Sequence, residues 1–211
     1  MLSLYYHPGN ASLLPHIILR EIGADFELRY VDRAKDQQHS EEYRRLNPNG
    51  RIPVLVDGDL VLFETAAIVL HLIDKFPEAG LAPTVGSPQR AEFYKWMIHL
   101  SNTPQAEFRA WFYPDQHADD DSAVPSVKRK AGERLDRMFD LISGQLGEKP
   151  WLLGDTYSAA DPFLFMLMRW SRFMPRPARE VPNLKALADR VLTRPAVQAA
   201  LEAEGIQAPV F

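Results

Sequence analysis

The chain has 211 residues, 46% of them hydrophobic, which is enough for one large domain or two small domains with a buried core. Its net charge of -4 gives no electrostatic reason to expect nucleic acid or a membrane surface as a partner. The absence of cysteine excludes disulfide bonds, zinc–thiolate sites and a thiol nucleophile carried by the protein, and it fits a reducing compartment, so we expect a cytoplasmic protein.

The first 76 residues alternate between strand and helix patterns. Strands are predicted at LSLYY (2–6), FELRYV (26–31), IPVLV (52–56) and LVLF (60–63), with a hairpin turn at Asp57-Gly58-Asp59. Apolar residues at helical spacing predict helices after residue 13 and over 65–76, and a short helix is expected around SEEYRRL (40–46). The order βαβ followed by αββα predicts an α/β domain.

The rest of the chain has helical patterns only. The segment PEAGLAPTVGSP (77–88) has the composition of a linker, and Ser87-Pro88 predicts the cap of a helix over 88–113. An acidic loop (114–125) and helices near 126–146, 158–173, 183–193 and 195–204 follow. We therefore predict an α/β domain at 1–77, a linker at 78–88 and an all-helical domain at 89–211.

A strand-to-helix turn lies in YYHPGNASLLPH (5–16). Thiol chemistry is often sited at such a turn, because a helix N-terminus lowers the pKa of a thiol. Since the chain has no cysteine, a thiol that reacts here would belong to a ligand. The six histidines have no metal-ligand spacing, so we expect no metal.

The segment NPNGRIPVLVDGDLVLFETAAI (47–68) is more specific. Pro53 is compatible with a trans bond in an edge strand, or with a cis bond that turns the main chain of Ile52 outward to pair with an extended peptide. Thr65 is a candidate helix cap beside Glu64, and the same helix N-terminus could bind a carboxylate. Both roles can hold together.

These two segments and LGDTYSAADPFLF (153–165) together resemble the cytosolic glutathione S-transferase superfamily, most closely its bacterial beta class. The resemblance covers nearly the whole chain. It implies a thioredoxin-like N-terminal domain with a mixed sheet, a capping box at Ser158 and Asp161, and glutathione as co-substrate. The glutathione-binding residues that it implies are Ile52, cis-Pro53, Glu64 and Thr65, with Lys35, His39, Arg51 and Asn49 as candidates around the glycyl end.

The sequence departs from the beta class at two positions. Ala11 stands where that class has a cysteine, so the protein cannot form a mixed disulfide with glutathione. The candidates for activating the glutathione thiol are then Ser12, Asn10 and Tyr6, and Ser12 could instead be only a helix cap. Gln105 stands where the class has a catalytic histidine, and an amide cannot act as a base at neutral pH.

The resemblance implies a homodimeric transferase in detoxification, which conjugates glutathione to an apolar electrophile. The candidates for the co-substrate pocket are Asn102, Gln105, Phe108, Arg109 and Trp111, although aromatic residues at helical spacing are more often core residues. A glutathione-dependent disulfide-bond reductase similar to the nu class is a second hypothesis. A non-enzymatic scaffold with the same fold is a third.

Overall fold

Four short strands form a mixed sheet in the computed structural model, which describes residues 1–211. They are β1 (Leu2–Tyr6), β2 (Phe26–Tyr30), β3 (Val54–Asp57) and β4 (Leu60–Phe63), in the spatial order β2-β1-β3-β4. β1 pairs in parallel with β2 and antiparallel with β3, and β3 pairs with β4 across the predicted hairpin turn. The mixed sheet expected from the sequence is confirmed.

Nine α-helices complete the fold. They are α1 (Leu13–Glu21), α2 (Glu41–Leu46), α3 (Thr65–Lys75), α4 (Pro88–Leu100), α5 (Ala106–Phe112), α6 (Val124–Leu146), α7 (Ala160–Trp170), α8 (Pro182–Leu192) and α9 (Pro195–Ala203). The chain divides into two units, Met1–Ala82 with Leu192–Val210, and Pro83–Val191 with Phe211. None of the helices has both the length and the apolar character needed to cross a membrane.

The first unit is built around α1. Residues 13–19 of this helix are all buried, and it packs against β1, α3 and α9. α2 begins after Ser40, whose side chain accepts a hydrogen bond from the backbone N–H of Tyr43 at 3.2 Å. The sequence assigned every residue from 89 onward to the helical domain, whereas Leu192–Val210 belong to the same unit as the sheet.

The second unit consists of helices only. α7 is its central element, because residues 160–169 are all buried. The carboxylate of Asp161 accepts from the N–H of Ser158 at 2.8 Å, and Ser158 Oγ accepts from the N–H of Ala160 at 3.3 Å. One half of the expected capping box is thus present, since Asp161 reaches back to Ser158, but Ala159 and not Ser158 holds the N-cap position of α7 and makes no side-chain cap bond. Asp161 also holds the N–H of Leu152 at 2.9 Å.

The long helix predicted over 88–113 is interrupted. It starts as expected, since Ser87 Oγ accepts from the N–H of Arg90 at 3.1 Å. Between α4 and α5, however, Ser101–Gln105 form a π-helical turn that contains Pro104. Because proline has no N–H to donate, it breaks the regular hydrogen-bond ladder at this point. Such turns are frequent at functional sites, and two of the predicted pocket residues, Asn102 and Gln105, lie within this one.

Candidate functional site

The turn between β1 and α1 leaves the N-terminus of α1 open. The N–H of Asn10 bonds to the carbonyl of His7 at 3.1 Å, and Gly9 has a φ of 70°, which glycine adopts without strain. The first turn of α1 carries no capping side chain and no acidic residue of its own, and an anionic group is a natural complement of the positive end of its dipole.

The buried side chain of Ser12 stabilises this turn by hydrogen bonds. Its hydroxyl donates to the carbonyl of His7 at 3.2 Å and accepts from the N–H of His7 at 3.3 Å, and the residue has no exposed surface. Ser12 holds the N-cap position of α1, which was one alternative for this residue, but its hydroxyl is used by His7 and makes no capping bond to the helix. To donate to a ligand, Ser12 would have to give up its bond to the carbonyl of His7.

Tyr6 lies at the end of β1 and faces α1. Its ring centroid is 6.4 Å from that of His16 and 6.0 Å from that of Tyr30. Burial, the carboxylate of Glu204 and the neighbouring Tyr30 together raise the pKa of the Tyr6 hydroxyl. The hydroxyl therefore stays protonated at neutral pH and is available as a hydrogen-bond donor.

Asn10 is half-buried in the same turn. Its side-chain oxygen Oδ1 accepts a long hydrogen bond of 3.4 Å from Nη1 of Arg33. Because a guanidinium has only donors, the acceptor end of the amide faces Arg33, and the donor end, Nδ2, faces the other way. Asn10, like Tyr6, thus has a donor that no bond within the chain occupies and surface in contact with solvent, whereas the Ser12 hydroxyl is already bonded to His7.

The Ile52–Pro53 peptide bond is cis, which confirms one of the two alternatives for this segment. β3 begins only at Val54, and the N–H and C=O of Ile52 make no hydrogen bond within the chain. The preceding carbonyl, that of Arg51, accepts from the hydroxyl of Tyr43 at 2.9 Å and from Nδ2 of Asn47 at 2.7 Å. A hydrogen-bonding edge is thereby held in place beside Pro53.

Tyr43 and Asn47 were missed by the sequence reasoning. Both are buried, and burial raises the pKa of the Tyr43 hydroxyl, which keeps it a donor. Asn47 also accepts from the N–H of Asn49 through Oδ1 at 3.1 Å, which is the local turn that an asparagine before a proline favours. That Asn47-Pro48 pair was the available signal, whereas Tyr43 looked like an ordinary apolar residue of α2.

Glu64 has strained backbone geometry at the start of α3. Its φ is 74°, in a region where residues with a side chain are uncommon and cost of order 1–3 kcal/mol. Glu64, and not Thr65 as expected, holds the N-cap position, and it makes no side-chain capping bond. Thr65 is the buried first residue of the helix. A second helix N-terminus is therefore left open, with an exposed carboxylate beside it.

The four candidates for the glycyl end come from one stretch of the first unit. His39 bonds to Asp36 at 2.8 Å and lies against Gly50, where an added Cβ would be 2.6 Å from its ring, so it is adjacent to Asn49 and Arg51 in the fold. Lys35 is 84% exposed and pairs with Asp32 at 3.4 Å. The structure therefore brings His39 close to the 49–51 segment, and the binding role of all four residues stays a prediction.

Two of the five predicted pocket residues are core residues of the second unit. Phe108 is 1% exposed and packs against Phe139 and Trp170, and Trp111 lies against Gly132. Asn102 is exposed, whereas Gln105 and Arg109 are half-buried. The pocket role of all five residues stays a prediction.

The comparisons with known proteins agree with this geometry. The family model for the N-terminal domain of glutathione S-transferase matches residues 1–74, and that for a C-terminal domain matches residues 104–204. Glutathione S-transferase GST-4.5 of Xanthomonas campestris pv. campestris is 33% identical over 97% of this chain and 100% of its own. The disulfide-bond oxidoreductase YfcG of Escherichia coli strain K12 is 29% identical over 95% of this chain and 94% of its own.

Among solved structures, a sphingomonad glutathione S-transferase in complex with glutathione is similar to this chain. It has a TM-score of 0.85 and 34% identity, over 97% of this chain and 100% of that one. The N-terminal family model thus covers all four strands of the sheet, and the C-terminal model covers the helices from α5 to α9. The chain belongs to the glutathione S-transferase superfamily.

Proposed function

We propose that this protein is a glutathione transferase that joins the sulfur of glutathione to an electrophilic carbon of an apolar co-substrate. The observation that carries the proposal is the N-terminus of α1, whose first turn has neither a side-chain cap nor an acidic residue of its own and which follows directly on the turn that holds Asn10. An anionic sulfur would complement it. The superfamily of the chain and the glutathione bound in a similar structure support the same ligand.

The remaining parts of glutathione would be bound by main chain and by charge. The free N–H and C=O of Ile52 would pair with the cysteinyl unit as one more strand. The open N-terminus of α3 would take the γ-glutamyl carboxylate, and the Glu64 carboxylate would take the ammonium group. His39, Arg51 and Lys35 would supply positive charge near the glycyl carboxylate, with Asn49 beside them.

The protein would act by lowering the pKa of the bound thiol. A free thiol has a pKa of about 8.5, so only a few per cent is thiolate at neutral pH. A hydrogen bond to the anion is worth roughly 1.5–3 kcal/mol, or about one to two pKa units. The thiolate then attacks the electrophilic carbon, a new S–C bond forms, and the leaving group departs with its electron pair, while the thiol proton goes to solvent.

The assembly and cellular role are part of this proposal. Leu60, Val61 and Phe63 on the edge strand β4 are exposed apolar residues, which supports a homodimer. The cysteine-free composition supports a cytoplasmic location, where detoxification of electrophiles by conjugation would take place.

The first experiment is a calorimetric titration of the protein with reduced glutathione, followed by conjugation of an aryl halide. We expect saturable binding in the micromolar to millimolar range and conjugation that depends on glutathione. The absence of heat at two temperatures would contradict the proposal and would favour the hypothesis of a non-enzymatic scaffold. Binding without conjugation would also contradict it.

A disulfide-bond reductase is the second candidate. It is favoured by the similarity to YfcG and by Asn10, which lies in the turn between β1 and α1 (residues 7–12, called the thiol turn below). In that reaction the glutathione sulfur attacks a disulfide sulfur and releases one thiol, and a second glutathione resolves the mixed disulfide, so that oxidised glutathione and the second thiol are formed. Reduction of a small disulfide at a higher kcat/KM than conjugation of the aryl halide would favour this candidate over the first.

A further inference from the structure

The side-chain amide of Asn10 contacts Arg33, a residue that lies outside the turn. Of the donors at the turn, the hydroxyl of Ser12 is bonded to His7, and the ring of Tyr6 packs beside those of His16 and Tyr30. The Asn10 amide is therefore a partly exposed side-chain donor in the turn itself, and its nitrogen has no partner within the chain. The amide can rotate to present either its oxygen or its nitrogen, and only the nitrogen can donate to an anion.

Arg33 favours the orientation in which the oxygen of the Asn10 amide faces the guanidinium and the nitrogen faces away. Its Nη1 atom is 3.4 Å from Oδ1 of Asn10, so the reverse orientation of the amide would bring two donors face to face. A long bond of this kind is weak as a hydrogen bond, but the guanidinium charge attracts the oxygen end of the amide dipole and repels the nitrogen end. The same charge favours a negatively charged sulfur nearby.

The main chain of Arg33 is well anchored beside the turn. The carboxylate of Asp32 accepts from the N–H groups of Ala34 and Lys35 at 3.0 and 3.3 Å, which fixes the short helical turn that starts at Arg33. Just before it, the N–H of Val31 bonds to the carbonyl of Tyr6 at 2.9 Å, and its carbonyl lies 2.9 Å from Nδ1 of His7. The segment after β2 is thus joined to the end of β1 and to His7 through Val31, two residues before Arg33.

We propose that Arg33 is a positioning residue that holds the Asn10 amide with its donor end toward the sulfur of bound glutathione, an inference that rests on the proposed function. Arg33 itself need not touch glutathione. Its removal is expected to leave the binding of the tripeptide almost unchanged and to reduce the fraction of it that is thiolate.

The test compares Arg33→Gln, Arg33→Lys, Asn10→Ala and the double variant Asn10→Ala/Arg33→Gln. Arg29→Gln is the matched control, because Arg29 is an exposed arginine of β2 that pairs with Glu27 at 2.7 Å. The readouts are the pH profile of kcat/KM for conjugation, the ultraviolet absorbance of the thiolate in the binary complex, and the calorimetric affinity for glutathione.

We expect Arg33→Gln to shift the pH profile upward by about one unit, which corresponds to about a tenfold loss of kcat/KM at neutral pH that is recovered at alkaline pH. Arg33→Lys keeps a charged donor and should restore most of the activity, and Arg29→Gln should match the wild type. The double variant should be no worse than Asn10→Ala, because the two residues act as one unit.

Two results would overturn the inference while leaving the transferase function intact. One is an unchanged pH profile in Arg33→Gln, whether or not its thermal stability falls, with normal conjugation by the wild type. The other is a full additional loss in the double variant, which would mean that Arg33 acts independently of Asn10. Failure of the wild type to bind glutathione would instead refute the proposed function, and this inference with it.

Discussion

At the scale of single residues, the side chain of Ser12 stabilises the thiol turn. Its hydroxyl satisfies both the N–H and the carbonyl of His7 in a place that water does not reach. A buried polar group that loses its partner costs about 1–3 kcal/mol.

We therefore expect Ser12→Ala to lower the free energy of unfolding by about 1–3 kcal/mol, measured by urea denaturation. The exposed Ser126 offers a control, and Ser126→Ala should change stability by less than about 0.5 kcal/mol. We also expect Ser12→Ala to reduce conjugation strongly, because the turn that carries Asn10 would loosen. A variant as stable and as active as the wild type would show that this hydroxyl is dispensable.

Glu64 combines backbone strain with a proposed contact to glutathione. Glycine adopts a φ of 74° without strain, whereas alanine does not. We expect Glu64→Gly to be more stable than Glu64→Ala by about 1 kcal/mol in urea denaturation, because strain relief exceeds the entropic cost of glycine.

Both variants of Glu64 should bind glutathione much more weakly than the wild type in calorimetry, since both lack the carboxylate. Equal stability of the two variants would mean that this backbone conformation is not costly. Normal glutathione affinity in either variant would remove the carboxylate from the binding site.

At the scale of elements, an ion cluster ties the end of β3 to α3. Asp57 lies 2.9 Å from Nε2 of His71 and 2.6 Å from Nζ of Lys75, and these two partners lower the pKa of its carboxyl group. A carboxyl group with a lowered pKa in the folded state stabilises the fold above its ordinary pKa of about 3.9. That contribution is lost as the pH falls through the lower, folded-state value.

Asp57→Asn should therefore be less stable than the wild type at pH 7, and the difference should shrink below about pH 4. The urea midpoints of both proteins over the acidic range would measure it. Asp59→Asn, in the same turn but exposed, should lack this pH dependence. A difference between Asp57→Asn and the wild type that stays constant with pH would refute the electrostatic explanation.

The sequence predicted well those features whose interacting residues lie close together along the chain. The cap at Ser87 and the bond between Ser158 and Asp161 join groups within three residues of each other, so the pattern is visible in the sequence. The π-helical turn was not predicted, because Pro104 is compatible with a kink, a break or a wider turn, and packing selects among these. The role of Tyr43 likewise arises only when α2 meets the carbonyl of Arg51.

At the scale of the whole chain, the segment after α9 contributes to the thiol turn. Glu204 is buried, with its carboxylate 2.8 Å from the N–H of Gly9 and 2.9 Å from Nδ1 of His16. Gly9 and Glu204 are 195 positions apart, so no local pattern could reveal the contact, and this is why the sequence assigned residue 204 to the helical domain.

Glu204→Gln keeps the shape of the side chain but replaces one acceptor with a donor. Gly9 needs an acceptor, so the new amide would face His16, whose other ring nitrogen already lies 3.5 Å from Nε of Arg20. We expect a loss of about 1–3 kcal/mol in urea denaturation, compared with almost none for the exposed Glu202→Gln. Equal stability of the two variants would contradict this account.

Residues 192–210 belong to the same unit as the sheet, and this has a consequence for folding during translation. The ribosome adds this segment only after it has synthesised the entire helical unit, so the buried pairing of His16 with Glu204 cannot form while residues 1–82 are emerging. The sheet unit is therefore incomplete during most of translation, and a nascent chain that stalls after α8 would expose the face of α1 that α9 covers.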